Sequence, residues 1–456
     1  MTDGAPGVGQ TGAMTSDTSH RPSEFIRTMA DGTTKQINPL SGTEVWTVPG
    51  RGDRPLGVIP PDVRPITSID RTTACAFCST RYLETPPEKV RSVRVRPSAI
   101  DDADGSDDAG LHHASDEVVF RRLSNLTPDE VTSQPADFRR IPNLFEIMSV
   151  DYWEANHGYT PDERITARFD AYAAARGGRE HLLQMARARF GRRAAGMSDD
   201  DLLAQAGDFF ASTHDVIVAR RHFVDGAMTS DQLASSGTLA YEEHREYIDL
   251  AVSGMQELYA TNPFVRYVAV FQNWLKAAGA SFDHLHKQIV GIDEFGTSTD
   301  LDIAAARRNP RVFEELIDYA RGNDLVIAEN DHAIAFAGYG HRYPSIEVWS
   351  TSGTCEPWRM SDDERHAMAD LVHAMHAASG SDVPCNEEWH HRPPSVTGVE
   401  IPWHIVLKWR IANLAGFEGS TKIYLNTISP AGVRDRVAPA LRRLRDERRL
   451  APGIRL

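Results

Sequence analysis

The chain has 456 residues, 41% hydrophobic and 25% charged, with a formal net charge of −15 and a pI near 5.6. That length allows two or three domains, and the acidic balance excludes a non-specific grip on nucleic acid or an anionic membrane, which needs a basic surface. No run of about 18 apolar residues occurs, so no membrane-spanning helix is predicted, and four cysteines are too few for a secreted disulfide scaffold; a cytoplasmic location is expected.

Residues 1–34 are polar and read as a disordered tail. From Lys35, "INPLSGTEVWTVP" predicts a turn at Asn38–Gly42 and a short strand, followed by the loop "GRGDRPLG". Cys75 and Cys78 follow, then an acidic stretch, "DDADGSDDAGLHHASDE", which reads as a solvated loop. "RRIPNLFEIMS" predicts a strand and turn. Residues 160–211 predict helices, with a capping box at Thr160 and Glu163 and a second start at Ser198. "HDVIVARRHF" reads as a buried strand ending at His222. Ile248, Val252, Met255 and Tyr259 recur at helical spacing over 241–260. "FVRYVAVFQN" predicts a strand, and a further strand is predicted over 284–290.

A second unit is expected from about residue 321. Strands are predicted at "DLVIAENDHAIAFAGYG", "SIEVWS", "IPWHIVLKWRI" and "STKIYLNTI". A helix capped by Ser361 and Glu364 runs to about Ala378, and a basic helix over 431–449 ends the chain. The adjacent His390 and His391 in "CNEEWHHRPPS" read as a surface loop.

If 284–290 is a strand, His284, His286 and Gln288 share one face, because side chains alternate. A bare His-x-His equally suits two buried, hydrogen-bonded histidines. Cys75-Ala-Phe-Cys78 has the gap that lets two thiolates reach one tetrahedral zinc, and His222 and His284 could complete a Cys₂His₂ set. Such a closed site is structural. It would leave His286 free beside an anchored neighbour, as a candidate nucleophile.

Asn273, Gly279, Ser281, His284, His286 and Gln288 resemble the signature of the galactose-1-phosphate uridylyltransferase family, a branch of the histidine-triad clan. "INPLSGTEVWTVPGRGDRP", "CAFC", "RRIPNLFEI", "HDVIVARRH" and "ENDHAIAFAGYGHRYPSIEVW" resemble further segments of that family, in its order. The resemblance implies an α+β fold of two histidine-triad-like domains, each an antiparallel half-barrel sheet backed by helices. They are expected at 35–320 and 321–456, with a helical insertion over about 149–212 in the first. It implies one structural Zn²⁺ on Cys75, Cys78, His222 and His284, with His286 as nucleophile on the α-phosphorus of a nucleotide sugar. Gln288 and Ser281 would donate hydrogen bonds to the phosphoryl group, Arg51 and Arg54 would clamp phosphates, and Asn143 and Asn273 would contact the nucleoside.

The implied reaction moves a nucleoside monophosphate between a nucleotide sugar and a sugar 1-phosphate. A phosphorylase or hydrolase of the same clan, or a nucleotide-binding scaffold without turnover, is the alternative. A homodimer is common in the family. The family's C-terminal Trp-x-x-His-x-His, linked to a second metal, is matched here by Val406 and Lys408, so a second metal is doubtful, and His404 reads as a packed strand histidine. The segment "AGFEGSTKIYLNTISP" resembles phosphorylase-like and broader clan members better than the galactose enzymes.

Overall fold

The structure is a computed structural model that describes residues 25–51, 62–95 and 118–456. The strands in chain order are β1 (Ile26–Thr28), β2 (Thr34–Ile37), β3 (Glu44–Thr47), β4 (Val90–Val95), β5 (Val119–Ser124), β6 (Phe138–Pro142), β7 (His214–Ala219) and β8 (Tyr267–Trp274). They continue as β9 (His286–Ile292), β10 (Val326–Glu329), β11 (Ala333–Gly338), β12 (Ser345–Ser350), β13 (Cys385–His390), β14 (His404–Trp409) and β15 (Ile423–Asn426). Eleven of them form one sheet, in the order β10-β11-β12-β14-β13-β8-β9-β7-β6-β4-β5, with antiparallel neighbours. The fold is mixed α+β, as expected. The strands of the two expected units are continuous through the β8–β13 pair, where Asn273 faces Asn386 and Gln272 faces Glu387.

Strand alternation divides this sheet into two faces. One carries Ile217, Ile289, Val268, Val270, Val348, Ile405 and Leu407, all buried. Three long helices cover it: Tyr241–Thr261, Asp362–Ser379 and Pro430–Asp446. Each helix turns inward an apolar stripe at three- and four-residue spacing, such as Tyr247, Ile248, Ala251 and Met255, or Val433, Val437, Leu441 and Leu444. Gly254 permits the closest approach: a Cβ there would meet Ile289 Cδ1 at 2.4 Å. The long helix therefore lies hard against β9. The opposite face carries His286, Gln288, Asn273 and Asn386.

Ordered structure begins earlier than expected. Residues 25–34 form the first strand and its turn, not a tail, because Phe25 packs edge-on against Tyr319 at 5.2 Å and Ile26 N–H donates to the Tyr319 hydroxyl. β1, β2 and β3 build a small sheet completed by β15, which runs parallel to β3. This sheet docks on Gly340, whose φ of +68° suits glycine and whose missing Cβ would meet Asn38 N at 2.2 Å.

The inserted block is helical, over Val150–His157, Glu163–Ala174, Gly178–Phe190, Asp199–Ala206 and Asp208–Ala211. Ser198 caps its helix as predicted. The Thr160 box does not form: Asp162, a stronger acceptor than a hydroxyl, caps the helix through Ile165 N–H. His390 and His391 are not in a surface loop either. His390 ends β13 and His391 is buried, because Trp389 and the stacked Tyr267 ring draw this segment into the sheet. Among the described residues, no helix is long and apolar enough to cross a membrane. The acidic stretch, residues 101–117, lies outside the described residues.

Candidate functional site: a metal cluster beside an oriented histidine

The cluster begins with a tight turn. Cys78 N–H donates to Cys75 O at 3.0 Å, which turns both thiols to one side, 3.9 Å apart. His222 lies just past the end of β7. His284 lies two residues before β9, which starts at His286 and not at 284. Both present Nδ1 to the sulfurs, at 3.4 and 3.6 Å for His222 and 3.5 and 3.8 Å for His284. With metal–sulfur bonds of about 2.3 Å and metal–nitrogen bonds of about 2.05 Å, a tetrahedral ion needs S···S edges of about 3.8 Å and S···N edges of about 3.6 Å. The four residues fit such an ion, and all four can reach it.

The surroundings favour the ligating forms of His284 and Cys78, whereas the hydrogen bond to Cys78, followed by burial, pushes the Cys75 thiol up. His284 Nε2–H donates to Ala219 O at 2.6 Å, which leaves Nδ1 with its lone pair. Burial lowers the His284 pKa and keeps the ring neutral. The Cys75 thiol, followed by the two imidazoles, holds the Cys78 thiol below its ordinary value.

His286 is buried and its Nδ1–H donates to His284 O at 2.7 Å. That bond fixes the tautomer, so Nε2 carries the lone pair. Burial lowers its pKa as well. One residue thus has two tasks: the His284 ring joins the Cys75, Cys78 and His222 cluster, and its carbonyl orients His286. Phe77 and Phe282 flank the His286 ring, with centroids 5.5 and 6.5 Å away.

Gln288 shares the His286 face. Its Oε1 accepts from His214 Nε2–H at 2.9 Å and from Asn143 Nδ2 at 3.4 Å. Asn143 is turned toward Gln288 and its own loop, since its Oδ1 accepts from Phe145 N–H. Asn273 is the penultimate residue of β8, and its Oδ1 accepts from Asn386 Nδ2 at 2.7 Å. Asn386 Nδ2 also donates to Ala278 O, and Asn386 Oδ1 accepts from Arg410. The turn after β8 holds Leu275 at φ 65°, ψ 158° and Gly279 at φ 91°. It leads to Ser281, which is exposed.

Two expected residues are not joined to this group. Arg51 is half-buried just after β3, and among the described residues no hydrogen bond or ion pair links it to the cluster. Arg54 lies outside the described residues. Conversely, sequence reasoning missed His214, Asn386 and Arg410. Counting along β7 puts His214 on the face of Val216 and Val218, but only the β7–β9 register, with Val216 opposite Gln288, brings it to that amide. Nothing local marks Asn386, which is set opposite Asn273 only by strand pairing.

A second group, Asp302, His390 and His404, also brings ligand atoms together, within 4.8 Å of one another. His404 is packed, as expected, against Trp349 and His390, with centroids 4.5 and 4.8 Å away. Burial pushes Asp302 up to about 7 and both histidines down to about 3. The positions that the resemblance ties to a second metal remain non-ligating: Val406 is aliphatic and Lys408 is paired with Glu388 at 2.5 Å.

An ADP-glucose phosphorylase of Arabidopsis thaliana is 25% identical over 186 residues, which are 38% of this chain and 52% of that protein. The match thus spans about half the length of this curated relative. A crystal structure of an ADP-glucose phosphorylase from Arabidopsis thaliana with bound ADP-glucose superposes with a TM-score of 0.55 and 17% identity, over 89% of this chain and 98% of that one. A GalT-like protein of Arabidopsis thaliana gives 0.53 and 16%, with the same coverage. The fold is therefore that of the GalT-like proteins, as the sequence resemblance implied. The family described as a domain of unknown function, DUF4921, matches residues 29–456, and the chain belongs to it.

Proposed function

We propose that the chain is a nucleotidyl-transferring enzyme that works through a nucleotidyl-histidine at His286. The observation that carries this reading is the His286 Nδ1–H···O bond to His284, which leaves a neutral Nε2 beside the Gln288 amide.

Nε2 attacks the α-phosphorus of a nucleotide sugar. The P–N bond forms, and the P–O bond to the departing sugar 1-phosphate breaks. An acceptor oxygen then attacks the same phosphorus and the P–N bond breaks, returning the imidazole. Splitting one displacement into two is the gain of covalent catalysis. Charge on the phosphoryl oxygens is met by the outward NH₂ of Gln288, with Ser281 as a second donor. The Nδ1 proton stays on its bond to His284 O throughout and disperses the charge that the ring acquires. Arg51 and Arg54 remain the proposed phosphate clamp, and Asn273 a nucleoside contact.

Cys75, Cys78, His222 and His284 would hold a Zn²⁺ whose contribution is structural, since four protein ligands leave no open position. They pin His284, and so the carbonyl that orients His286.

Two acceptors suit this chemistry. A sugar 1-phosphate makes the enzyme a uridylyltransferase-like transferase; inorganic phosphate makes it a phosphorylase. The likeness to an ADP-glucose phosphorylase favours the second acceptor and an adenine nucleotide. Intact-mass measurement after incubation with ADP-glucose, UDP-glucose or UDP-galactose tests the proposal. An adduct lost in His286→Ala is expected, and its discharge by phosphate or by a hexose 1-phosphate identifies the acceptor. No adduct with any donor favours a binding protein without turnover.

A further inference from the structure

An amide can face an anion with either end. Gln288 helps a phosphoryl oxygen only if NH₂ points outward; its carbonyl oxygen there would repel the charge. Neighbouring groups must therefore choose its orientation.

The choice is made behind Gln288. Ile147 N–H donates to His214 Nδ1 at 3.1 Å. A backbone N–H can only donate, so Nδ1 must be the unprotonated nitrogen and Nε2 must carry the proton. Nε2–H then donates to Gln288 Oε1 at 2.9 Å. Asn143 Nδ2 lies 3.0 Å from His214 Nε2 and 3.4 Å from Gln288 Oε1, and Asn143 cannot be reversed because its Oδ1 is held by Phe145 N–H at 2.9 Å. With Nδ1 already accepting from Ile147, Nε2 cannot also accept from this amide, so both N–H groups converge on Gln288 Oε1. His214 is 2% exposed, so no water competes for these bonds. Tautomer and amide polarity are thus set in sequence, from the 143–149 loop through His214 to Gln288.

We propose that His214 is a positioning residue that fixes Gln288 with its NH₂ toward the phosphoryl group. The inference rests on the nucleotidyl-histidine reading for its consequence in rate, but not for its consequence in anion binding. His214 does not touch substrate; its effect passes through Gln288.

A double-mutant cycle of His214→Ala and Gln288→Ala tests this. Adduct formation from ADP-glucose should slow about tenfold in His214→Ala, the scale of one hydrogen bond to a charged group. His214→Ala should add nothing further once Gln288 is alanine. His214→Gln, which retains a side-chain N–H donor, should recover most of the rate. His214→Phe replaces the alanine variant if that one does not fold. The same cycle is read by calorimetry in the unreactive His286→Ala background, with ADP-glucose and inorganic pyrophosphate as probes. If the wild type forms no adduct, the nucleotidyl-histidine reading falls and the binding cycle still decides the role of His214. Equal penalties in both Gln288 backgrounds, no penalty in either, or no binding of either probe would overturn the inference.

Discussion

Lys287, which separates His286 from Gln288, forms an ion pair with Glu387 of β13 on the helix-covered face, and neither side chain has any exposure. Glu387 also accepts from His376 Nε2 at 2.8 Å and Trp389 Nε1 at 2.6 Å. Burial alone would raise its pKa, but Lys287, the largest opposing influence, and His376 hold it well below the usual carboxylate range. The pair spans β8, so it locks the strand that carries His286 and Gln288 to the other half of the sheet.

Lys287→Met should therefore destabilise the fold by about 3 kcal/mol or more, since it strands a buried carboxylate. Lys287→Met with Glu387→Gln should recover much of that loss, because the charge is removed along with its partner. Urea denaturation of the two variants checks this. A double variant as unstable as the single one would show that packing, not the stranded charge, sets the cost.

The cluster geometry makes a prediction about metal. Purified protein should hold one zinc on Cys75, Cys78, His222 and His284, with two sulfurs at about 2.3 Å and two nitrogens at about 2.0–2.1 Å by X-ray absorption. Cys78→Ser should lower the metal content and the Tm together, because a site that forms only in the folded chain lends its binding energy to folding. The Cys75–Cys78 turn contributes little apolar packing beyond Phe77, so a bound metal would be its main anchor. Unchanged Tm on metal loss would count against this.

Much of this site was legible in the sequence because its parts are local. A two-residue gap fixes Cys75 and Cys78, and strand alternation fixes His286 and Gln288. His222 and His284 could be offered as the missing pair from the residues alone, but no spacing rule joins residues so far apart, and the family resemblance added the support. The donors behind the amides were not legible. His214 reaches Gln288 across the β7–β9 pair, and Asn386 reaches Asn273 across β8–β13. Register creates these contacts, and register is a property of the whole sheet. The place of His390 and His391 was not legible for the same reason: two adjacent histidines are poor joint ligands and read as a surface loop, while Trp389 anchors this segment in β13.

Arg410 should matter to substrate affinity although it lies in the second half of the chain. It donates to Asn386 Oδ1 at 2.7 Å and stacks over Tyr343 at 4.5 Å. Its hold on Asn386 directs the amide NH₂ at both Asn273 Oδ1 and Ala278 O. Without it, Asn386 can reverse and loosen both. Arg410→Ala should raise KM for the nucleotide sugar two- to tenfold, about 0.5–1.5 kcal/mol, with metal content unchanged. A change in kcat alone would argue that Arg410 acts elsewhere.

His391 gives the fold an acid limit. It is buried, its Nε2 meets the Tyr259 hydroxyl at 3.1 Å, and its Nδ1 has no partner among the described residues. Burial, with a smaller effect from His404, lowers its pKa to about 3. In the unfolded chain the ordinary value of about 6.5 returns. A folded pKa below the unfolded one means stability that is fully present above about pH 6.5 and is lost as pH falls toward 3. The slope is at most about 1.4 kcal/mol per pH unit for this one group. Buried Glu146 and Asp302, both pushed up to about 7 by burial, work in the opposite direction, while His390 and His404, pushed down to about 3, work in the same one, so the wild type's own pH dependence does not isolate His391. The difference between wild type and His391→Gln cancels those shared contributions. Urea midpoints at pH 7, 6 and 5 should therefore show the wild type losing ground to His391→Gln as pH falls. A difference that stays flat over that range would mean that His391 takes up its proton inside the fold.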